Sequence, residues 1–232
     1  MRIAIVGNGK MGQAVAAFAA ERGHIIHTVV ISNENAGGRA LTPERLAGAD
    51  VAIEFTRPEA AVPNLERLIE LGIPTITGTT GWTGALPRIT ALVEARQGAL
   101  LHAANFSVGV HLFLRAAREL ARNFSGRSEF VASIREEHHA AKLDAPSGTA
   151  LLLQHRLALS DASRSFPITS VRAGTSPGTH TVTYEGPHET VSLSHVARDR
   201  EAFADGALTA AEWLPGKTGV FTFEHVLFGE SA

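Results

Sequence analysis

The sequence contains no cysteine. That absence removes disulfide frameworks, thiolate nucleophiles, CxxC redox pairs, iron–sulfur clusters and cysteine-ligated zinc together. Any chemistry must come from histidine, lysine, carboxylates, hydroxyls or a bound cofactor. No excess of one charge is present either. Lys+Arg 21 stand against Asp+Glu 23 in 232 residues, a formal net charge of −2, which leaves no electrostatic footprint for nucleic acid or an anionic membrane surface. Long apolar runs are missing too: none approaches the ~18 residues that span a bilayer, and residues 3–6 are cut off at once by Gly7, Asn8 and Lys10. The expectation is a cytoplasmic protein that partners neither nucleic acid nor membrane. A 44% hydrophobic composition argues against intrinsic disorder.

Apolar runs at residues 2–6, 25–31, 51–55, 74–77 and 99–103 read as strands, separated by helical patterns over 13–22, 58–71 and 86–96. Strands alternating with helices at this cadence predict an α/β unit with a doubly wound parallel sheet, with ligands off the carboxyl ends of the strands. After Asn105-Phe106-Ser107 the pattern changes. A helix over 110–123 precedes strand-like runs at 129–136, 170–173, 179–185 and 189–195, which predict a smaller α+β domain with a mixed or antiparallel sheet. The expected division is a dinucleotide-binding domain over 1–106, a substrate-binding and oligomerisation domain over 107–200, and a return of 201–232 to the first, with a helix over 202–214. Exposed strand segments such as 179–185 need covering, which fits a homo-oligomer assembled through the second domain.

Gly7-Asn8-Gly9-Lys10-Met11-Gly12 fits GxGxxG after a strand and at the opening of a helix. The first glycine permits the tight turn, the second lets backbone N–H groups approach a pyrophosphate, and the third allows close helix–strand packing. Where an acid commonly holds the ribose 2′-hydroxyl, this sequence has Ser32-Asn33. Neutral donors with Lys10 nearby tolerate a 2′-phosphate, so NADPH is expected to be accepted, while Glu34 leaves NADH open. Lys10 as a solvated loop residue is the plainer alternative.

The densest polar cluster runs from Glu136 to Ala150, EEHHAAKLDAPSGTA. Ser147 is a good helix N-cap, and Gly148-Thr149 offer bare N–H groups at the start of the next helix, a place for a substrate carboxylate. His138 and His139 are adjacent on an extended strand end, so their rings point to opposite faces and no metal is expected between them. Glu136 and Glu137 read as orienters or as solvated charges. Lys142 beside an imidazole, facing an anion-binding helix start, suits proton delivery and the binding of a dianion.

These residues resemble the 4-hydroxy-tetrahydrodipicolinate reductases of the diaminopimelate route to lysine, over most of the chain. Residues 137–150 resemble the family's signature, and Phe55-Thr56-Arg57-Pro58-Glu59, Gly78-Thr79-Thr80-Gly81, residues 103–110 and Val171-Arg172-Ala173-Gly174 resemble further family blocks. The resemblance implies a Rossmann-like first domain, His138 as catalytic histidine and Lys142 as proton donor. It implies His139, Gly148 and Thr149 as substrate-carboxylate contacts, with Ser147 beside them. It also implies nicotinamide dinucleotide contacts from Gly7, Asn8, Gly9, Lys10, Met11 and Gly12, joined by Gly78, Thr79, Thr80, Ala103, Ala104, Asn105 and Phe106; Ser32 and Asn33, read above, and Phe55 complete the candidate cofactor-binding set. Arg200 resembles a further basic residue near the substrate, with Arg198 close by. The chain departs from the family in a tighter glycine loop, in the missing acid after the second strand, and in a short segment over 159–170.

The implied reaction is hydride transfer from NADPH or NADH to a conjugated cyclic imine dicarboxylate, with loss of water from the hydroxylated substrate around that step. The implied assembly is a homotetramer. Cofactor and substrate on separate domains call for closure about a hinge near residues 106–110. Another two-domain dehydrogenase acting on an open-chain amino acid would share the first domain but gives no reason for HHAAK followed by PSGTA. A non-catalytic redox sensor would leave the anion trap without a use. His24, His27, His102, His111, His180 and His188 read as structural, and Trp82 and Trp213 as packing residues.

Overall fold

The computed structural model describes residues 1–199 and 201–229. In chain order β1 (Arg2–Val6), α1 (Lys10–Glu21), β2 (Ile25–Val30), α2 (Pro43–Leu46), β3 (Val51–Glu54), α3 (Pro58–Glu70), β4 (Thr75–Thr77), α4 (Leu86–Arg96) and β5 (Ala99–His102) come first. α5 (Val108–Phe124), β6 (Val131–His138), α6 (Gly148–Ser160), β7 (Ile168–Arg172), β8 (Thr179–Glu185) and β9 (Thr190–Val196) follow, and α7 (Glu201–Trp213), β10 (Gly219–Thr222) and α8 (Phe223–Phe228) close the described chain. Contacts divide the described residues into two units, one of 1–107 with 201–229 and the other of 108–199. Among the described residues no helix is long and apolar enough to cross a membrane.

The first unit is a sheet in the order β10-β5-β4-β3-β1-β2, and every neighbouring pair in it is parallel. β1 and β3 bury almost every side chain because helices cover both faces, so they read as continuous apolar runs without alternation. α1 turns Gly12, Val15 and Ala19 inward, a three-to-four residue spacing that forms one stripe. α3 opens on Pro58, whose missing N–H costs nothing in the first turn. α4 stops where Gln97 takes a left-handed conformation with φ 50°. β10 extends the sheet beyond β5, an element that a four-residue run behind Pro-Gly-Lys does not announce in the sequence.

In the second unit the sheet runs β7-β6-β8-β9. β6 and β7 are parallel and joined by the crossover helix α6, while β6–β8 and β8–β9 are antiparallel. α5 buries Val110, Phe113, Leu114, Ala117 and Ala121 along one stripe against this sheet. The strand expected to be exposed over 179–185 is β8, and it lies inside the sheet between β6 and β9 with His180, Val182 and Tyr184 buried. The edges are β7 and β9, so any need for covering falls there and not on β8.

Strand alternation places the site. On β6 the inward positions are Ala132, Ile134, Glu136 and His138, and on β8 they are Tyr184, Val182 and His180. Register sets Ala132 opposite Tyr184, Ile134 opposite Val182 and Glu136 opposite His180. The same inward face is therefore an apolar core at one end and ionisable at the other.

Candidate active site

In the first unit the expected dinucleotide residues gather at the carboxyl ends of β1, β3, β4 and β5. Gly7 ends β1 with φ +103°, and a Cβ there would lie 2.1 Å from the Phe55 carbonyl oxygen. A Cβ on Gly12 would lie 2.0 Å from the Gly7 carbonyl oxygen, so helix α1 sits as close to the turn as glycine alone permits. Gly9 meets nothing within 4 Å. It caps α1 without a side-chain hydrogen bond, so no cap side chain occupies the first-turn N–H groups, an arrangement that suits a pyrophosphate. Gly78 is pressed against the Phe55 ring. The Thr56 N–H donates to Thr79 Oγ1 at 2.8 Å, and the Ser107 N–H donates to Asn105 Oδ1 at 2.7 Å. Beneath these turns Glu54, fully buried, accepts from Thr77 Oγ1 at 2.6 Å and from the Thr56 hydroxyl.

Beyond β2 a cavity of about 220 Å³ is lined by Ser32 but not by Asn33. Its asparagines are Asn35 and Asn64, joined by a 2.8 Å hydrogen bond, and its carboxylate comes from Glu59 on the first turn of α3. Glu34 is turned away. Its Oε1 accepts from the Ile31 N–H at 3.1 Å and pairs with Arg45 at 2.7 Å. Sequence order alone pointed to position 33, because a tight turn there hides which side chain folds back over the strand end.

In the second unit β6 ends at His138, which is buried, with His139 just beyond it and half-buried. Nδ1 of His138 lies against Oε2 of Glu136, and Arg172 Nη2 on β7 meets Glu136 Oε1 at 2.7 Å. The same Arg172 nitrogen donates to the Asp144 carbonyl at 2.5 Å, tying the loop that carries Lys142 back to the sheet. Lys142 Nζ pairs with Asp144 Oδ1 at 2.7 Å. Ser147 caps α6, its Oγ accepting from the Ala150 N–H at 3.3 Å. Gly148 is exposed and Thr149 half-buried at the helix start, and a Cβ on Gly148 would meet nothing within 4 Å.

His180, which the sequence offered only as an isolated histidine, belongs to this cluster. Its Nε2 lies 3.2 Å from Ser147 Oγ, and its ring stands edge-on to His138 with centroids 5.2 Å apart. Burial, reinforced by the positive charge around it, pushes its pKa down to about 4. Burial also pushes His138 down, opposed by Glu136 and aided by Lys142 and Arg172. Both imidazoles are therefore neutral near pH 7. Among the described residues, Glu136, His138 and His180 are the one group whose ligand atoms, all within 4.8 Å of one another, a metal ion could bridge. The carboxylate already neutralises Arg172, and Lys142 adds a second positive charge nearby, so the cluster is built as an ion-pair network rather than around a cation. Arg200 lies outside the described residues.

Residues 1–106 match the family described as Dihydrodipicolinate reductase, N-terminus, and residues 109–227 match Dihydrodipicolinate reductase, C-terminus. The chain belongs to the dihydrodipicolinate reductase family. Within it, the 4-hydroxy-tetrahydrodipicolinate reductase of Christiangramia forsetii is 36% identical over 238 residues, covering 98% of each chain. The enzyme of that name from Staphylococcus carnosus is 32% identical, covering 97% of this chain and 99% of its own. Dipicolinate-bound dihydrodipicolinate reductase from Paenisporosarcina sp. TG-14 has the same fold, with a TM-score of 0.77 at 22% identity over 96% of this chain and 97% of that one.

Proposed function

We propose that this reductase-family chain uses NADPH or NADH to convert 4-hydroxy-tetrahydrodipicolinate, by way of dihydrodipicolinate, to tetrahydrodipicolinate in the diaminopimelate branch of lysine biosynthesis. The observation that carries the reading is local. A lysine, a buried neutral histidine and a capped, glycine-opened helix start lie within 12 residues of one strand end, from His138 to Thr149.

Gly7 to Gly12 would hold the pyrophosphate, with Phe55, Gly78 to Thr80 and Ala103 to Phe106 shaping the rest of the cradle; Ser32 and Asn35 line the cavity beyond β2. Bound there, the reduced nicotinamide supplies the hydride. The uncapped first-turn N–H groups at Gly148 and Thr149, with His139, hold the substrate carboxylates and orient the ring. Reduction of the conjugated imine leaves an electron pair on the substrate ring. Lys142, an ammonium beside that charge, stabilises it and transfers a proton from Nζ to the ring, and solvent restores the proton afterwards. Asp144 holds Nζ ready at 2.7 Å. His138 lies beside this path as a neutral imidazole.

The Ser32 hydroxyl and the diversion of Glu34 to Arg45 support use of NADPH, and the Glu59 carboxylate in the same cavity supports use of NADH as well. A homotetramer built through the second unit, and a cytoplasmic site of action, complete the reading. Its test is the loss of reduced-nicotinamide absorbance when the enzyme meets freshly generated 4-hydroxy-tetrahydrodipicolinate, with NADPH and NADH measured separately. Wild type is expected to oxidise both, and Lys142→Ala is expected to lower kcat about 100-fold or more. Dinucleotide binding without oxidation of either cofactor would sink the assignment.

A further inference from the structure

A strand that carries its catalytic histidine at the end has no evident reason to bury a carboxylate two residues earlier. Glu136 has no exposed surface. Burial pushes its carboxyl up, but hydrogen bonding to Arg172 and Ser170, with the charges of His138 and Arg172, outweighs burial and brings it down to about 2. It is thus a fixed negative charge, gripped at Oε1 by Arg172 and turned at Oε2 to Nδ1 of His138. Three strands arrange this. Positions 136 and 138 share a face of β6, register sets Arg172 of β7 opposite His138, and it sets His180 of β8 opposite Glu136.

A carboxylate has only acceptor sites, and its negative charge favours the ring proton on the imidazole nitrogen set against it. The other nitrogen, Nε2, is turned toward Gly178, where a Cβ would stand 2.9 Å away. Glycine, held there at φ +151°, keeps a side chain from striking that nitrogen. We propose that Glu136 is a positioning residue for His138, holding the ring as the Nδ1–H tautomer so that Nε2, with its lone pair, is the nitrogen that accepts a hydrogen bond or proton from the reacting molecule. Arg172 keeps the carboxylate ionised, so the proton stays on the imidazole.

The other charged or titratable groups that face the ring are His180 on β8, with His195 on β9 behind it, and Lys142 with Asp144 in the following loop. Burial, with the charges of Lys142 and Arg172, disfavours a second proton on His138 against the pull of Glu136, so near pH 7 the ring is neutral and its tautomer decides what Nε2 can do.

The inference rests on the proposed reaction only where it assigns a use to Nε2, and the test separates the two. Full-length protein labelled with ring ¹⁵N histidine, its His138 signal assigned by loss in His138→Asn, reports the tautomer directly. Wild type is expected to carry the proton on Nδ1. Glu136→Gln is expected to shift the ring toward Nε2–H, with kcat falling about tenfold or more while substrate KM changes less than about threefold. A wild-type ring protonated on Nε2 overturns the inference without any variant, so the test survives a Glu136→Gln chain that does not fold. Wild-type kcat in Glu136→Gln, or a lost kcat with the Nδ1–H tautomer retained, overturns it as well. A chain that oxidises neither NADPH nor NADH overturns the proposed function, while the wild-type tautomer still decides this point.

Discussion

At the scale of single residues, the second unit concentrates neutral and charged groups whose protonation the fold dictates. His180 shows how this ties stability to pH. Its folded pKa, about 4, lies below the ordinary 6.5, so the unfolded chain takes up the proton first. The stability this neutral histidine contributes is full above about 6.5 and lost as pH falls toward about 4. Replacing it with glutamine, which cannot charge, is expected to lower Tm near pH 7. The gap between wild type and His180→Gln should then narrow steadily on acidification through that window, as followed by thermal unfolding at a series of pH values. A gap that widens toward pH 4 would show that His180 charges more readily in the folded state. The sequence displayed most of this site, because His138, Lys142 and Ser147 to Thr149 lie in one continuous segment. The parts played by His180 and Arg172 escaped because these residues arrive from other strands, where only register brings them to β6. Glu136 was visible, yet its choice between orienter and solvated charge turned on which face of β6 points inward.

At the scale of elements, the glycine turn before α1 makes a distinction that one substitution pair can read. Gly12 is needed by the protein itself, since a Cβ would strike the Gly7 carbonyl at 2.0 Å; Gly9 touches nothing. Gly12→Ala is therefore expected to lower Tm markedly. Gly9→Ala should leave Tm within about a degree, since its backbone (φ −77°) suits any residue, while weakening NADPH binding about tenfold or more by titration calorimetry. Unchanged binding in Gly9→Ala would mean the turn is structural only. Most elements of the first unit could be read from apolar runs punctuated by glycine. β10 could not, for Gly219-Val220-Phe221-Thr222 is a run too short to distinguish from a turn until β5 is seen beside it. The placement of β8 was missed for a related reason: alternation gives a strand's inward face but says nothing about its neighbours in the sheet.

For the whole molecule, the second unit presents two strand edges, β7 and β9, and on β8–β9 a face on which Thr181 meets Ser194 at 2.8 Å and Thr183 meets Ser192 at 3.1 Å. Hydroxyl pairs of this kind suit a face that another copy can cover without leaving charges buried. Size-exclusion chromatography with light scattering is expected to give four times the chain mass; a monomer would remove the tetramer from the reading. The first unit has a different consequence. Its sheet takes five strands from the first 102 residues and its last, β10, from residues 219–222, with α7 supplied only after residue 200. During synthesis on the ribosome, β5 therefore waits as an open edge while more than a hundred further residues are made. The second unit can complete its own sheet in that interval. The order of emergence makes the cofactor-binding half, which the chain begins first, the half that it finishes last.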